Sequence, residues 1–430
     1  MSIIIEHGFL YDSDKKSFHR NSLFIDNGVV QEISENLQIL GTETIDASGY
    51  YVLPGLIDLH THLREPGETH KETIHSGTLA AAKGGYTHIV AMGNTKPPVS
   101  TKEIYTKIQQ IIKKEAIISI TQAGTITDQL EGKKLSPLLL HSNLPVYSDD
   151  GKGVASSALL KEALKIAKSI GAVLILHEED ANISQNGVIH DGMKAAGSGY
   201  PTISSLSESV PIMRDLLIAK EIGYPLHFTH ISSQASVEML KTSKNLQYPY
   251  SADVTPHHLF FSDETISLTD SNYKMKPPIR SEIDREALIQ GLLDGTIQVV
   301  ATDHAPHSQI EKQQSFLEAP FGIIGLETAF AAVYTALVLE KRIPFETIVP
   351  WFTSNPAQIL GLSEEGSIKI GNPANITLIA LEERIISSNM FHSKSMNSPF
   401  IGKKLSGFPV MTLFQGKVVY EAPRYWHSKK

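Results

Sequence analysis

The segment Gly55–Gly67, GLIDLHTHLREPG, closes an apolar run with His60, His62, Arg64 and Glu65. Other apolar runs close in the same way: one with Asn94, one with the pair Asp149-Asp150, then His177, His230, and Asp303 followed by His304 and His307. A buried histidine is by default a hydrogen-bonded core residue. Recurrence at the ends of several strands overrides that default. Residues two apart on a strand face the same side, so His60 and His62 can meet one ion. Imidazole and carboxylate without thiolate suit Zn²⁺, with Mn²⁺, Co²⁺ and Fe²⁺ as alternatives. His60, His62, His177, His230, Asp303 and one acid of the Asp149-Asp150 pair exceed what a single catalytic zinc with an open position takes. They suit two ions if one carboxylate bridges, and two neighbouring cations can hold a shared hydroxide ionised near neutral pH.

The elements that must position these residues follow from the pattern around them. Eight apolar runs read as strands over 55–63, 87–94, 116–124, 144–150, 172–179, 225–232, 248–258 and 297–307. Helical segments separate most of them. In SSALLKEALKIAKSIG the apolar residues Leu159, Leu160, Ala163, Leu164 and Ala167 recur near helical spacing and Gly171 ends the run. Strand–helix alternation implies a parallel sheet. Eight strands point to a (β/α)₈ TIM barrel, whose active site lies at the C-terminal strand ends, where the histidines and acids fall. The two ends of the chain have a different texture. Short apolar runs broken by turns such as Asn27-Gly28 and Gln415-Gly416 suggest hairpins. The expected division is a small β-sandwich domain built from both ends, residues 1–53 and 361–430, around a barrel of residues 54–360.

Composition narrows the function. The chain has 430 residues, 41% of them hydrophobic, enough for a large core, and a formal net charge of -8 without a long basic run. Nucleic acid and anionic membranes are therefore not expected partners. Cysteine is absent, so any metal must be held by His, Asp or Glu. No apolar run reaches the roughly 18 residues needed to span a bilayer, and the first ten residues lack the pattern of a signal peptide. The expectation is a cytoplasmic protein.

Read in order, DLHTHLREPG, AMGNTKP, YSDDG, LILHEED, HFTHIS, DVTPHHL, KMKPPIR, VVATDHAPH and EAPFGIIGLETA resemble class I dihydroorotases of the amidohydrolase superfamily. H-x-H marks the superfamily alone; H-L-R-E-P-G, N-T-x-P and A-T-D-H-A-P-H are far more specific. The resemblance spans nearly the whole chain. It implies two zinc ions per subunit, one held by His60, His62 and Asp303, the other by His177 and His230, bridged by Asp150 and a hydroxide. It implies that Asp303 is the general acid/base. His62, Arg64, Asn94, His307, Phe321 and Gly322 would bind the substrate, with Lys276 as a further candidate. The implied reaction is the reversible conversion of dihydroorotate to N-carbamoyl-L-aspartate in pyrimidine biosynthesis. The implied partners are that small molecule, a second copy in a homodimer, and aspartate carbamoyltransferase. A related cyclic amidase, such as a hydantoinase or allantoinase, and an inactive scaffold for aspartate carbamoyltransferase are the alternatives.

Three positions depart from the family pattern. Lys276 stands where an asparagine contacts substrate, Gly93 replaces a proline, and Asn375 replaces an aspartate. Strand four carries no lysine to be carbamylated as a bridge, and Lys152 falls beyond its end. Asp58 and Glu65 are expected to support the metal-bound imidazoles. His257 and His258 are expected to stack near the mouth, Tyr147 and Phe228 to be core, and WHSKK at the end of the chain to be solvated. The long segment after His307, residues 308–325, suggests a mobile lid.

Overall fold

The computed structural model describes residues 2–35, 37 and 42–423. The WHSKK segment lies outside the described residues. The N-terminal stretch forms β1 (Ser2–Glu6), β2 (Phe9–Asp12), β3 (Ser17–Arg20), β4 (Ser22–Asp26), β5 (Val29–Ser34), β6 (Glu43–Asp46) and β7 (Tyr51–Pro54). The middle supplies β8 (Leu56–Thr61), β9 (Tyr86–Ala91), β10 (Ser119–Gln122), β11 (Val146–Ser148), β12 (Val173–Leu176), the short pair β13 (Ile189–His190) and β14 (Thr202–Ile203), then β15 (Leu226–Phe228), β16 (Tyr250–Val254) and β17 (Val299–Val300). The chain ends in β18 (Ile376–Ile385), β19 (Lys404–Phe414) and β20 (Lys417–Glu421).

All eight predicted barrel strands are present, each shorter than its apolar run. They pair in parallel as β8–β9–β10 and β11–β12–β15–β16–β17. Parallel bridges between Gly124 and Tyr147 and between Thr61 and His304 join the two arcs into a closed ring. Helices cross between strands. The helix Ser157–Ile170 starts where the Ser156 side chain accepts from the Leu159 N–H and stops at Gly171, whose φ of 72° is left-handed. Tyr147 and Phe228 are fully buried, as expected of core residues.

Strand alternation explains why the site sits on a packed barrel. Val90 and Met92, Val146, Ile175, and Val299 and Ala301 belong to one buried cluster, whereas Ile89, Ala91, Tyr147, Leu174 and Val300 join the larger core with the helices. The first set fills the barrel interior. Continuing the same alternation leads to Asn94, Asp150, His177 and Asp303 at the mouth.

The chain ends form two sheets. One is the N-terminal sheet β5-β4-β1-β6; the other, β20-β19-β18-β7-β2-β3, interleaves strands from both ends. The two hairpin tips meet. Gly28 has a φ of 82°, and a Cβ there would lie 2.7 Å from the Gln415 carbonyl oxygen. The Asn375 side chain accepts the Gln415 N–H at 2.9 Å, a turn-holding role. Gly28→Ala is therefore expected to destabilise the protein by about 2 kcal/mol, from left-handed backbone strain and the carbonyl clash. Thermal unfolding of the variant checks this; an unchanged melting temperature would mean the tips do not pack as described.

Candidate active site

The barrel mouth brings together every side chain that the sequence assigned to it. A cavity of 290 Å³ is lined by His62, Arg64, Asn94, Asp150, Gly151, His177, His230, Lys276, Asp303, Ala305, His307, Phe321 and Gly322. His60 lies beneath, fully buried.

Asp150 is the centre of the cluster. Its Oδ1 lies 3.2 Å from His60 Nε2, 3.5 Å from His177 Nδ1 and 3.7 Å from His230 Nε2, and its Oδ2 lies 3.4 Å from His62 Nε2. Asp303 Oδ1 lies 3.1 Å from His62 Nε2 and 3.4 Å from His60 Nε2. Two groups have metal-ligand spacing, His60–His62–Asp150 and Asp150–His177–His230, and Asp150 belongs to both. His60 Nε2 and Asp150 Oδ1 are buried with no hydrogen-bond partner. Buried polar atoms without partners are costly, and a cation would satisfy both. The electrostatics ask for positive charge as well. Burial opposes charge on His60, yet Asp150 and Asp303 outweigh it and lift the imidazole to about 10. The donor chemistry, the spacing and the orphaned atoms all fit a metal cofactor.

Asp149 points elsewhere. Its carboxylate accepts the N–H groups of Ile126 and Thr127 at 2.7 and 3.0 Å and the Thr127 hydroxyl. It braces the loop after β10 and is no alternative to Asp150. Lys152 is exposed beyond β11. His257 and His258 lie with ring centroids 4.7 Å apart but tilted by 43° rather than stacked, and His258 is held by Thr255 at 2.7 Å. His304 accepts the Gly325 N–H at 3.1 Å, away from the cavity.

The supporting residues differ in part from expectation. Asp58 accepts the backbone N–H of His60 at 3.1 Å, the N–H of Thr302 at 3.0 Å and the Thr302 hydroxyl at 2.5 Å. It therefore stitches β8 to the end of β17 through the backbone and does not touch an imidazole. Burial pushes its carboxyl up to about 6, against those hydrogen bonds. Glu65 accepts the Ile74 N–H at 2.9 Å and caps the helix Ile74–Lys83, where a carboxylate meets unpaired N–H groups. The groups that do orient the imidazoles went unassigned in the sequence. Thr229 Oγ1 lies 2.6 Å from His60 Nδ1, and Glu179 Oε2 lies 3.3 Å from His177 Nε2. Asp253 acts on the backbone instead, accepting the main-chain N–H of His230 at 2.7 Å. A signal existed for two of them: Thr229 adjoins His230, and Glu179 follows His177 by two positions. Asn94, an expected substrate contact, is also within 2.9 Å of His62 Nδ1.

Arg64, His230 and Asp303 all have left-handed backbone, with φ of 58°, 42° and 48°. Such conformations are costly outside glycine and gather at functional sites. Arg64 is half-buried in the cavity wall. Its Nε donates to the Pro306 carbonyl at 3.1 Å, and among the described residues no carboxylate lies within ion-pair distance of it. Burial lowers its guanidinium from the ordinary value. His307 lies beside it, with Nε2 2.8 Å from the Phe321 carbonyl, so this nitrogen carries the proton.

The segment after His307 is tied down. The buried Lys312 ammonium donates to the carbonyls of Pro320 and Gly322, each at 3.0 Å, and Glu311 pairs with Lys71 at 3.0 Å. Residues 308–325 form an anchored wall that places Phe321 and Gly322, in contrast to the expected mobile lid.

With this geometry in place, the fold has clear relatives. The L-hydantoinase (dihydropyrimidinase) of Arthrobacter aurescens superposes with a TM-score of 0.86 at 24% identity, over 97% of this chain and 96% of that one. The two chains thus share one TIM-barrel fold with an added β domain. Residues 49–236 match the family model described as dihydro-orotase-like. A dihydroorotase of Geobacillus sp. (strain WCH70) is 42% identical over 99% of this chain and 100% of that protein. One from Carboxydothermus hydrogenoformans is 40% identical over 98% of each. The chain belongs to the dihydroorotase family.

His307 yields a pH prediction. Burial, then the charges of Arg64 and Lys71, lower its imidazole to about 3. Its folded value lies below the unfolded one of about 6.5, so the unfolded chain binds the extra proton first as pH falls. Stability linked to His307 is full above pH 6.5 and is lost on acidification toward 3. Between pH 6.5 and 5 the stability of wild type relative to His307→Gln should fall by about 2 kcal/mol. Chemical denaturation at both pH values measures it; a pH-independent difference would contradict the neutral assignment.

Proposed function

We propose that this site performs the dihydroorotase reaction, the reversible hydrolysis of dihydroorotate to N-carbamoyl-L-aspartate. The observation that carries the reading is Arg64, a half-buried guanidinium that lines the cavity without a carboxylate partner among the described residues. A cation that lines a cavity without an ion-pair partner suits an anionic ligand, and a guanidinium fork suits a carboxylate. The substrate has one carboxylate on a ring small enough for the cavity.

In this reading the metal ions are two zincs, held by His60, His62 and Asp303 and by His177 and His230, with Asp150 shared. Bound there, they would polarise the ring carbonyl and ionise a water near neutral pH. The protein's own side chains do the rest. Arg64 and Asn94 hold the carboxylate, His307 lines the adjoining ring edge, and the backbone at Phe321-Gly322 closes the other side. His62 would hold metal through Nε2 while its ring lines the substrate cavity. Asp303 Oδ2 takes no hydrogen bond from the described residues, whereas its Oδ1 faces the imidazoles. Asp303 accepts the proton of the attacking water as the new C–O bond forms, and delivers it to the ring nitrogen as the C–N bond breaks. In the direction of ring closure the same carboxylate takes the proton from the carbamoyl nitrogen and gives it to the departing oxygen.

The intact set of six ligand residues supports an enzyme over an inactive scaffold. The division into a barrel of residues 54–360 and a small β domain of residues 1–53 and 361–430 is part of the proposal. It is supported by β7 ending at Pro54, the helix Ser354–Leu360 and β18 starting at Ile376. Homodimerisation, association with aspartate carbamoyltransferase and a cytoplasmic location are proposed from the family likeness. Among the described residues no helix is long and apolar enough to cross a membrane.

Dihydroorotate, hydantoin and allantoin assayed side by side test the function. Turnover of dihydroorotate well above the two rings that lack a carboxylate is expected; the reverse order would move the protein to a related cyclic amidase. Arg64→Met should lower kcat/KM for dihydroorotate roughly 100-fold, mostly through KM. An unchanged KM would show that Arg64 does not hold the carboxylate.

A further inference from the structure

Lys276, the departure from the family pattern, does not present a free ammonium to the cavity. Its Nζ lies 2.6 Å from Glu179 Oε1. The same oxygen accepts the Ser184 hydroxyl, and the other oxygen of Glu179 lies 3.3 Å from His177 Nε2. His177 turns its second nitrogen, Nδ1, toward the cluster, 3.5 Å from Asp150 Oδ1 and 2.9 Å from His230 Nε2. Three side chains thus stand in line, ammonium to carboxylate to imidazole, and end on one half of the metal cluster. The line is largely sheltered: side-chain exposure is 26% for Lys276, 13% for Glu179 and 5% for His177.

We propose that Glu179 and Lys276 are positioning residues: Glu179 fixes the ring orientation and tautomer of His177, and Lys276 acts through Glu179 rather than on the substrate. The physical reason is the two-sided chemistry of imidazole. A carboxylate on the outer N–H decides which nitrogen is left to bind metal and makes it a better donor. Glu179 has two oxygens and could rotate toward solvent. The Lys276 ammonium and the Ser184 hydroxyl occupy one oxygen and leave the other aimed at His177. A partly buried carboxylate also needs a compensating cation when its imidazole partner is neutral, and Lys276 is that cation. The substrate carboxylate has its own cation in Arg64. Lys276 further lies 5.2 Å from the centroid of the Phe321 ring, so one ammonium braces both the His177 half-site and the wall that carries Phe321.

The proposal rests on His177 being a metal ligand, so the test includes that residue. Metal-free protein is titrated with Zn²⁺ against a chromophoric chelator for wild type, His177→Ala, Glu179→Gln, Lys276→Met and Lys276→Arg. Circular dichroism confirms folding, and KM and kcat are measured for dihydroorotate. His177→Ala should abolish one zinc-binding step. Glu179→Gln should weaken that same step by about 10–100-fold and Lys276→Met by about 10-fold, with the other step unchanged. The loss should fall on kcat, with KM within a few-fold of wild type, and Lys276→Arg should restore most of it. Normal zinc binding in Glu179→Gln and Lys276→Met, with a raised KM in the latter, would overturn the proposal and make Lys276 a substrate contact. Weakening in Glu179→Gln alone would remove Lys276 from the line. Two intact zinc steps in His177→Ala would instead defeat the metal assignment itself.

Discussion

One carboxylate sets the terms for the rest of this site. Asp150 draws four imidazoles within 3.7 Å of its two oxygens, from the ends of three barrel strands, β8, β12 and β15. Lone-pair donors crowded this closely, with His60 Nε2 and Asp150 Oδ1 left without partners, are stable only around positive charge. Much of the surrounding architecture keeps that crowd in place. The barrel interior packs Val90, Met92, Val146, Ile175, Val299 and Ala301 directly below, and strand alternation passes from those residues to the ligands. Asp58 closes the ring by binding the backbone of β8 to that after β17. Thr229 and Glu179 face the outer nitrogens of His60 and His177, and Asp253 holds the main-chain N–H of His230. Arg64, His230 and Asp303 hold strained backbone at the strand ends, a cost that the packed barrel below can sustain.

Two cations define the chemistry from opposite walls, and the structure gives them different work. Arg64 is half-buried without an ion pair among the described residues and is therefore available to a carboxylated ligand. Lys276 is already paired to Glu179 and belongs to the support of His177. The sequence names both as candidates for binding the substrate, Arg64 from its motif and Lys276 as a departure from the family pattern. Their neighbours separate them, and those neighbours are distant in the chain.

How much could be read before the fold was known follows from this. The eight strands and their polar tips were legible because parallel strands buried on both faces are short apolar runs, and a functional tip interrupts them with charge. The joining of the chain ends was legible from turn chemistry, and Gly28 and Gln415 do touch. The choice between Asp149 and Asp150 was not, because it depends on whether Val146 or Tyr147 faces the interior, and both are apolar. Glu65 was misread because its partner, the N-terminus of the helix Ile74–Lys83, is reached only after a turn. Residues 308–325 suggested a lid because their length and polarity resemble a loose loop. The buried Lys312, which ties that segment to its own carbonyls, is invisible until the chain folds back.

The central claim is that Asp150 bridges two metal ions at the barrel mouth. Anomalous diffraction at the zinc absorption edge, from crystals grown with Zn²⁺, tests it most directly. Two peaks should appear, one against His60, His62 and Asp303 and the other against His177 and His230, with the Asp150 carboxylate contacting both. A single peak, or two peaks of which Asp150 touches one or neither, would contradict the account.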